Sequence, residues 1–318
     1  MPEKFDLVGV GLNATDTLLI VPRFPAYGGK EPFEEEMISV GGQVSSAVVT
    51  GQRLGLRTKY VGTVGNDQRG EIQLASLRQE GVNVDDVQVR AGLPTQSAYI
   101  IIDRQTGERT VLWRRDDGLA MRPEEVQPSW IEGAGLLHID GHDTPAVGKA
   151  ARLARERGIP VTVDVDTIYD GFDKVLPNVD YLIGSSNFPE QWTRERDPFE
   201  ALTRIQKEFG MKVAAMTLGS HGALARFDGR FYYSPAFVVD CVDTTGAGDV
   251  FHGAFCYGVL KEWPLHQVLE FSNAMAALNC QALGARGGIG KLAEAERMLA
   301  QGQRRADSEV QLRANAKL

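Results

Sequence analysis

Cysteine, histidine and long apolar runs are all scarce in this sequence. Its 318 residues include three cysteines, which are too few and too far apart for a disulfide framework and are typical of free thiols in a reducing compartment. The five histidines show no spacing typical of metal ligands. No apolar run approaches the ~18 residues that cross a bilayer, and the start Met1–Asp6 lacks the pattern of a signal peptide. We therefore expect a cytoplasmic protein with no membrane partner.

Positive charge is also in deficit. The chain carries 34 Lys and Arg residues against 42 Asp and Glu residues, for a formal net charge of −8. A protein without a basic surface is not expected to bind nucleic acid, although backbone amides can still bind a small anion. Hydrophobic residues make up 43% and charged residues 24%, as in ordinary folded proteins, whereas 35 glycines indicate many tight turns and close backbone–ligand contacts.

Short β-rich runs alternate with longer helical patterns along most of the chain. This alternation predicts a mostly parallel sheet, and because the runs are apolar on both faces we expect helices on both sides of it. The predicted strands are Phe5–Val10, Thr58–Val61, Leu136–Ile139, Val161–Asp164, Tyr181–Ile183 and Val213–Thr217, with an edge hairpin of Ala223–Arg226 and Phe231–Tyr233. The predicted helices are Val44–Leu54, Arg69–Glu80, Pro145–Arg157, Phe199–Phe209, Val250–Leu260 and a last one from Lys291 to about Gln301.

Two segments interrupt this alternation and predict a small antiparallel β-sheet outside the main one. The first is 15–40, in which β-type runs flank a loop that contains prolines and glycines. The second is a hairpin of Ser97–Asp103 and Arg109–Trp113. We expect the two segments to form a lid from about residues 13–40 and 93–116.

One apparent nucleotide motif does not have the context that it needs. The segment Gly9–Ala14 fits the GxGxxG/A dinucleotide pattern after a strand. That motif requires a helix next, but Asp16–Pro22 is β-branched and ends in proline. We therefore do not expect a nicotinamide cofactor. The sequence also contains no GxxxxGK[ST] motif, which excludes a Walker-type P-loop.

The strongest functional signal is the segment Asp243–Gly253, which reads DTTGAGDVFHG. Small residues predict a turn and an apolar helix follows, so bare amides and the positive end of a helix dipole meet where an anion can bind. Asp249 falls in the first turn, where it can face that anion. Helix capping would account for one acidic residue and one glycine, but not for acidic residues on both sides of Thr-Thr-Gly-Ala-Gly. The segment therefore predicts a functional anion site.

The same segment resembles the C-terminal signature of the ribokinase-like (PfkB) carbohydrate kinases, DTTGAGDxFxxG. Three further elements follow the order typical of that family. They are the pair Gly41-Gly42 with a closing Leu54-Gly55, the NxxE element Asn187–Glu190 and the TxGxxG loop Thr217–Gly222. The resemblance implies a three-layer α/β/α ribokinase-like fold with a mostly parallel central sheet and a small β-sheet lid. It implies a kinase domain over 1–304, and residues 305–318, which are poor in apolar side chains, are expected to form a frayed tail.

By this resemblance the protein is an ATP-dependent sugar kinase that transfers the γ-phosphate to a sugar hydroxyl, and a primary hydroxyl is expected. Asp249 corresponds to the general base that takes the proton of that hydroxyl. The amides of Gly246, Ala247 and Gly248 correspond to the anion hole that receives the charge of the transferring phosphoryl group. The residues implied to bind ATP are Asn187, Thr217, Gly219, Ser220, Gly222 and Asn273.

The resemblance also implies cations beside the nucleotide. Asn187 and Glu190 correspond to the pair that places Mg²⁺ through water, an ion that is commonly held by few protein oxygens and several phosphate oxygens. Taken alone, Asn187 would equally be a turn residue and Glu190 a solvated charge. Asp243 resembles part of a monovalent-cation loop of many relatives, so K⁺ is a further expectation, although backbone carbonyls form that site. Asn273 could equally be a polar residue that packs its helix.

The sugar end departs from the family pattern. The residues implied to bind sugar are Asn13, Asp16, Gly41, Gly42, Ser46 and Lys30. Relatives commonly carry Asn where this chain has Ser46, and Lys where it has Gln43, so plain ribose is not the expected substrate. Lys30 lies in the predicted lid, where it would hold an anionic group of the sugar. The plain alternative for Lys30 is a solvated surface charge.

Two other functions fit the same fold and motifs. A nucleoside kinase would use stacking aromatics near the lid, for which Trp113 and Tyr99 are available. A non-catalytic sugar or nucleotide sensor would not need a catalytic base, and the intact Asp249 with its flanking segment argues against that reading. By resemblance alone, we also expect a homodimer that forms through the lid.

Overall fold

The computed structural model describes residues 3–305 together with residues 310, 313 and 314. Its strands are β1 Phe5–Val10, β2 Ala14–Val21, β3 Glu35–Gly41, β4 Thr58–Val61, β5 Thr63–Gly65, β6 Gln88–Arg90, β7 Ser97–Asp103, β8 Arg109–Arg114, β9 Ala134–Ile139, β10 Val161–Val165, β11 Tyr181–Gly184, β12 Val213–Thr217, β13 Ala223–Phe227 and β14 Arg230–Ser234. Its α-helices are α1 Gln43–Arg53, α2 Gln68–Gln79, α3 Thr144–Glu156, α4 Phe188–Thr193, α5 Pro198–Phe209, α6 Ala247–Leu260, α7 Leu265–Asn279 and α8 Leu292–Gln301.

The main sheet has eight strands in the order β14-β13-β12-β11-β10-β9-β1-β4. The strands from β4 to β12 pair in parallel, and β13 and β14 form an antiparallel hairpin at the edge. This confirms the predicted parallel sheet, its strands to within two residues at each end, and the edge hairpin. The strands were predictable because both of their faces are apolar.

Helices cover the sheet on both faces, which confirms the three-layer fold. Along β1, Val8 and Val10 belong to the core shared with α3 and α5, whereas Leu7 belongs to the core shared with α1, α6 and α7. Successive strand residues point to opposite faces, so one strand contributes to both cores. Within the described ranges, no helix is long and apolar enough to cross a membrane.

The lid is a second sheet in the order β3-β2-β7-β8. Its outer pairings are antiparallel as expected, but the central pair, β2 with β7, is parallel. Both strands start at the body of the protein, where the Thr15 N–H donates to the Gln96 carbonyl (3.1 Å), and both run outward. The hairpin-like pattern of each segment gave no information about how the two segments pair with each other.

The lid sheet buries one face and exposes the other. Leu18, Ile100 and Ile102 form a buried cluster on the inner side. On the outer side, Tyr99 and Leu112 are 50% and 58% exposed. Strand β7 therefore alternates between a face that contacts the protein and a face that contacts solvent, whereas β2 is mostly buried and β8 is exposed along its whole length.

The sequence patterns missed some short elements. The strands β5 and β6 form a separate two-stranded parallel sheet, and α4 has only six residues. Elements this short have no measurable periodicity. The last predicted helix is present as α8, and most of the expected tail, 305–318, lies outside the described residues.

We predict that Gly42→Ala destabilises the protein more than Gly210→Ala. Both glycines have positive φ values, 100° and 66°, so either alanine costs about 1–2 kcal/mol in backbone strain. A Cβ atom at Gly42 would also lie 2.3 Å from the Asn13 Cα, whereas a Cβ at Gly210 would have no atom within 4 Å. Urea unfolding should give a further loss of about 2 kcal/mol or more at Gly42. Equal losses would contradict this prediction.

Candidate active site

The candidate site lies where the parallel strands end. Loops after β1, β9, β10, β11 and β12 leave the main sheet at the same edge, and open α/β sheets bind ligands at that edge. Asn13 follows β1, Asn187 follows β11 and Thr217 ends β12. The sheet therefore brings together residues that the sequence motifs had singled out separately.

The predicted anion-hole residues lie at the N-terminus of α6. Gly246 precedes the helix with φ 75°, and a Cβ there would lie 2.3 Å from the Ala285 carbonyl oxygen, so only glycine fits. At Gly248 a Cβ would meet no atom within 4 Å, so open space lies beside this turn. The first N–H groups of a helix have no partner within it, so the turn can offer amides to an anion, although the Ala247 N–H also donates to the Thr244 carbonyl oxygen (3.3 Å).

Asp249 lies in that first turn in an environment that disfavours its charge. Its pKa is raised from the usual 3.8 to about 7, chiefly by burial and next by the nearby Asp164 carboxylate, while His252 and Arg109 act in the opposite direction. His252 Nε2 lies 3.1 Å from the Asp164 Oδ1, and this contact lowers the pKa of Asp164. A carboxyl group that ionises near neutral pH is well suited to proton transfer.

Asp16 is a buried carboxylate at the base of the lid. It is 6% exposed, and its Oδ1 accepts a hydrogen bond from the Ala98 N–H (3.2 Å). Burial raises its pKa to about 6, against the lowering effects of that hydrogen bond and of Arg286 and Arg69. A Cβ at Gly41 would lie 3.0 Å from the Asp16 Oδ2, so the glycine lets the backbone approach this carboxylate.

Asn13 lies beside Asp16 and is also buried. Its Nδ2 donates to the Tyr60 hydroxyl and to the Thr63 carbonyl, both at 2.8 Å. Its Oδ1 is buried and has no hydrogen-bond partner among the residues that the structure describes. An unsatisfied buried acceptor of this kind can receive a hydrogen bond from a ligand hydroxyl.

The predicted nucleotide residues fall into exposed and buried groups. Asn187 and Glu190 are exposed at α4, where the Glu190 side chain lies 3.9 Å from that of Arg196. Gly219 and Ser220 form a single turn after β12 that ends at Gly222 (φ 99°). Gly219 and Ser220 are exposed at this edge, whereas Gly222 is buried and its backbone is hydrogen-bonded to Gly219 and Leu218.

Asn273 and Asp243 are instead engaged within the protein. Asn273 Nδ2 donates to the carbonyl and hydroxyl oxygens of Ser234, both at 2.9 Å, which is the packing arrangement considered as an alternative. Asp243 accepts from the Thr245 N–H (2.8 Å) and from the Gly284 N–H (2.8 Å). Its carboxylate therefore shapes the loop before α6 and joins it to the loop after α7.

The predicted sugar residues are not all brought together. Gly42 packs on Asn13, and the Ser46 hydroxyl accepts a hydrogen bond from Arg286 Nε (3.2 Å). Lys30, in contrast, is exposed in the loop between β2 and β3 and is not part of this buried cluster. The role predicted for Lys30 would require that loop to approach the sugar.

Some residues of the site carried no recognised sequence signal. Asp164 lies near the end of β10, and Gln43 hydrogen-bonds to it and to Asp166. A polar residue at the end of a buried parallel strand is the signal that could have identified Asp164. Arg286 is an isolated residue after α7, for which no local pattern exists.

The lid also contacts the loop that precedes α6. Arg109, on β8, donates to the Thr244 hydroxyl. A Cβ at Gly107, in the turn between β7 and β8, would lie 3.3 Å from the Cys241 carbonyl oxygen. The lid thus contacts both Asp16 and the loop that precedes α6.

The fold and the motif positions are those of a ribokinase-like phosphotransferase. The chain belongs to the pfkB family of carbohydrate kinases, whose family model matches residues 7–291. The family assignment made from the sequence motifs is therefore confirmed. The protein is a kinase that acts on sugars.

Comparison with individual proteins agrees with this family. The chain is 29% identical to an ATP-dependent ribose-1-phosphate kinase of Halopiger xanaduensis, with 85% of this chain and 90% of that protein covered. It is 26% identical to a 5-dehydro-2-deoxygluconokinase of Geobacillus kaustophilus, with 85% and 88% covered. The structure of an Arabidopsis thaliana ribokinase complexed with ribose and ATP has the same fold, with a TM-score of 0.77, 24% identity and 93% and 99% covered.

We predict that the stability difference between Asp249→Asn and the wild type depends on pH. Folded Asp249 keeps its proton up to a pH of about 7, whereas the unfolded chain releases it near 3.8. The folded wild type therefore loses stability relative to the variant as pH rises from about 4 to about 7, because an Asn does not titrate. Urea unfolding at pH 5 and pH 8 measures this difference.

The variant should gain stability relative to the wild type at the higher pH. Asp240→Asn serves as the control for loss of an exposed carboxylate near the same loop. A difference between Asp249→Asn and the wild type that is the same at both pH values would contradict the prediction.

Proposed function

We propose that the protein is an ATP-dependent kinase that transfers the γ-phosphate to a hydroxyl, expected to be primary, of a sugar or sugar derivative. The observation that carries this proposal is Asp249, a carboxyl group with a pKa raised to about 7, in the first turn of α6. Asp249 accepts the proton of the attacking hydroxyl. The amides of Gly246, Ala247 and Gly248 stabilise the charge on the transferring phosphoryl group.

ATP is proposed to lie over the ends of β11 and β12. Thr217, Gly219, Ser220 and Gly222 line the turn that would contact its phosphates and ribose. Asn273 would contribute through the Ser234 contact that positions α7 and β14, since its amide nitrogen is already engaged. A nucleotide along this edge presents its terminal phosphate to the N-terminus of α6.

The residues present fit a magnesium ion shared with the nucleotide. Asn187 and Glu190 offer exposed oxygens, and among the described residues no group of three or more acidic, histidine or cysteine side chains could hold a metal alone. Mg²⁺ would be placed by these two residues through water and would neutralise phosphate charge. For K⁺, Asp243 would act by fixing the loop carbonyls, because its own oxygens already accept hydrogen bonds.

The sugar is proposed to bind between the lid and the start of α1. Asp16 accepts hydrogen bonds from sugar hydroxyls, and the free Oδ1 of Asn13 accepts another. Gly41 and Gly42 let the sugar approach the backbone, and Ser46 lines the end of the pocket. Closure of the lid over the sugar would exclude water from the transferring phosphoryl group and limit ATP hydrolysis.

We also propose a cytoplasmic homodimer. A kinase that consumes ATP needs the nucleotide pool of the cell interior, and Cys241 is an exposed free thiol. The outer face of the lid exposes Ile38, Tyr99 and Leu112, an apolar surface that a second lid could cover. Neither proposal affects the chemistry assigned to Asp249.

We predict that Asp249→Asn lowers kcat by roughly 10²–10⁴-fold while ATP and sugar binding persist. Asn keeps the size of the side chain but cannot accept the proton. The measurement is ATP-dependent phosphorylation of a sugar panel, with binding followed by calorimetry. Asp240→Asn is the control for a carboxylate outside the site. Equal turnover by Asp249→Asn and the wild type would favour the sensor.

We predict that Lys30→Ala weakens an anionic sugar far more than a neutral one. The loop that carries Lys30 would have to bring its ammonium group to the substrate, and a neutral sugar offers that group no charge to pair with. KM values for matched neutral and anionic sugars measure the effect. An identical loss for both would remove this role of Lys30.

Adenosine belongs in the same panel, because Trp113 is exposed on the lid and could stack on a base. Tyr99 lies on the opposite, outer face of the lid sheet, since Trp113 pairs with its neighbour Ala98. Turnover of adenosine above that of every sugar would favour the nucleoside kinase.

A further inference from the structure

Arg286 is a buried cation in the loop after α7. It is 5% exposed, and its recorded partners are hydroxyl and carbonyl oxygens, not carboxylates. Nε donates to the Ser46 hydroxyl (3.2 Å), and Nη2 donates to the Ser45 hydroxyl (2.8 Å) and the Gly41 carbonyl (3.2 Å). These bonds use the three N–H groups of Nε and Nη2.

The remaining nitrogen of this guanidinium, Nη1, is unsatisfied. It is buried and has no hydrogen-bond partner within the part of the chain that the structure describes. A guanidinium carries five N–H groups in one plane, so both hydrogens of Nη1 remain without an acceptor among the described residues. Burying a charged donor without a partner is costly, and such a group in a folded protein requires an explanation.

The guanidinium adjoins the residues proposed to bind the sugar. It holds Ser46 and Gly41 directly, and a Cβ at Gly41 would lie 3.0 Å from the Asp16 carboxylate. The positive charge of Arg286 lowers the pKa of Asp16, and Asp249 in turn raises the pKa of Arg286. Burial is the larger effect and lowers the pKa of Arg286 to about 10, which still leaves it charged at neutral pH.

The chemistry of the free group favours an anionic ligand. A neutral hydroxyl could accept one hydrogen bond from Nη1 but would leave the buried charge uncompensated. A carboxylate or phosphate oxygen accepts a charge-assisted bond and also neutralises the cation. Neither Asp16 nor Asp249 is a hydrogen-bond partner of Nη1 in the part of the chain that the structure describes, so this nitrogen remains available to an anionic oxygen.

We propose that Arg286 is a specificity-determining residue of the sugar site, whose Nη1 donates to an anionic oxygen of a carboxylate or phosphate group on the substrate. The inference rests on the proposed kinase function and names the class of substrate. Ser46 is short, so the guanidinium reaches the position at which relatives commonly carry the longer Asn. The exposed Lys30 is not required for this role.

The competing explanation is that Arg286 only ties the loop after α7 to the start of α1. A purely structural role predicts that loss of the guanidinium weakens every substrate alike. Ser45→Ala is the matched control, because it removes one partner of Nη2 and leaves Nη1 unchanged. It should affect neutral and anionic sugars equally.

The experiment measures binding of matched sugars to the full chain by titration calorimetry with a non-hydrolysable ATP analogue. The pairs are ribose with ribose 1-phosphate, and glucose with glucuronate, which keeps the ring, so the phosphate and carboxylate are tested separately. We expect the wild type to prefer the anionic member of at least one pair. Arg286→Gln should weaken that member by roughly 10- to 100-fold and its neutral counterpart by less than about 3-fold.

Equal weakening of both members, or a wild type that prefers the neutral member of both pairs, would overturn the proposal. Should Arg286→Gln fail to fold, Arg286→Lys, which keeps the charge but loses the planar fork, replaces it. It should retain part of the anionic preference, and full retention or equal loss for both members counts against the role. Because calorimetry needs no turnover, failure here is distinct from failure of the kinase proposal, which Asp249→Asn tests.

Discussion

Two contacts between backbones hold the candidate site together. Gly42 packs on the main chain of Asn13, and Gly246 packs on that of Ala285, at separations that leave no room for a Cβ atom. The first contact joins the start of α1 to the loop after β1, and the second joins the start of α6 to the loop after α7. Segments far apart in sequence are thereby fixed at the distances that a small substrate requires, before any side chain contributes.

Within that frame, charge is distributed unevenly. Burial holds Asp16 and Asp249 partly towards their neutral forms, with pKa values of about 6 and 7. Asp164, paired with His252, stays charged, and its pKa is lowered. The buried Arg286 supplies positive charge without a carboxylate partner. In the proposed site, Asp249 can therefore accept a proton, and the positive charge of Arg286 can attract an anionic group.

Much of this was accessible from the sequence, for identifiable reasons. The strand β1 and the helix α6 were predictable because apolar runs and small-residue turns are local signals. The segment Asp243–Gly253 was informative because its function needs several small residues in a row. These features can be recognised from neighbouring residues in the sequence alone, because they do not depend on contacts with distant segments.

Other features depend on contacts between distant segments. The parallel pairing of β2 with β7 joins residues about eighty positions apart, and the sequence of neither strand indicates which strand it pairs with. Arg286 lies in the loop after α7 and contacts Ser46 on α1, and the sequence around a single arginine does not reveal such a contact. Asn273 illustrates the reverse case, since its motif position suggested the nucleotide while its amide contacts Ser234.

The contact between Arg109 and Thr244 links the cover of the sugar pocket to the loop that leads into α6. If the lid swings open, this bond and the neighbouring approach of Gly107 to Cys241 must break together. A sugar bound beneath the lid would then favour the closed arrangement, in which Arg109 contacts the loop before α6. Sugar binding would thereby be coupled, through these two contacts, to the order of the loop that leads into α6.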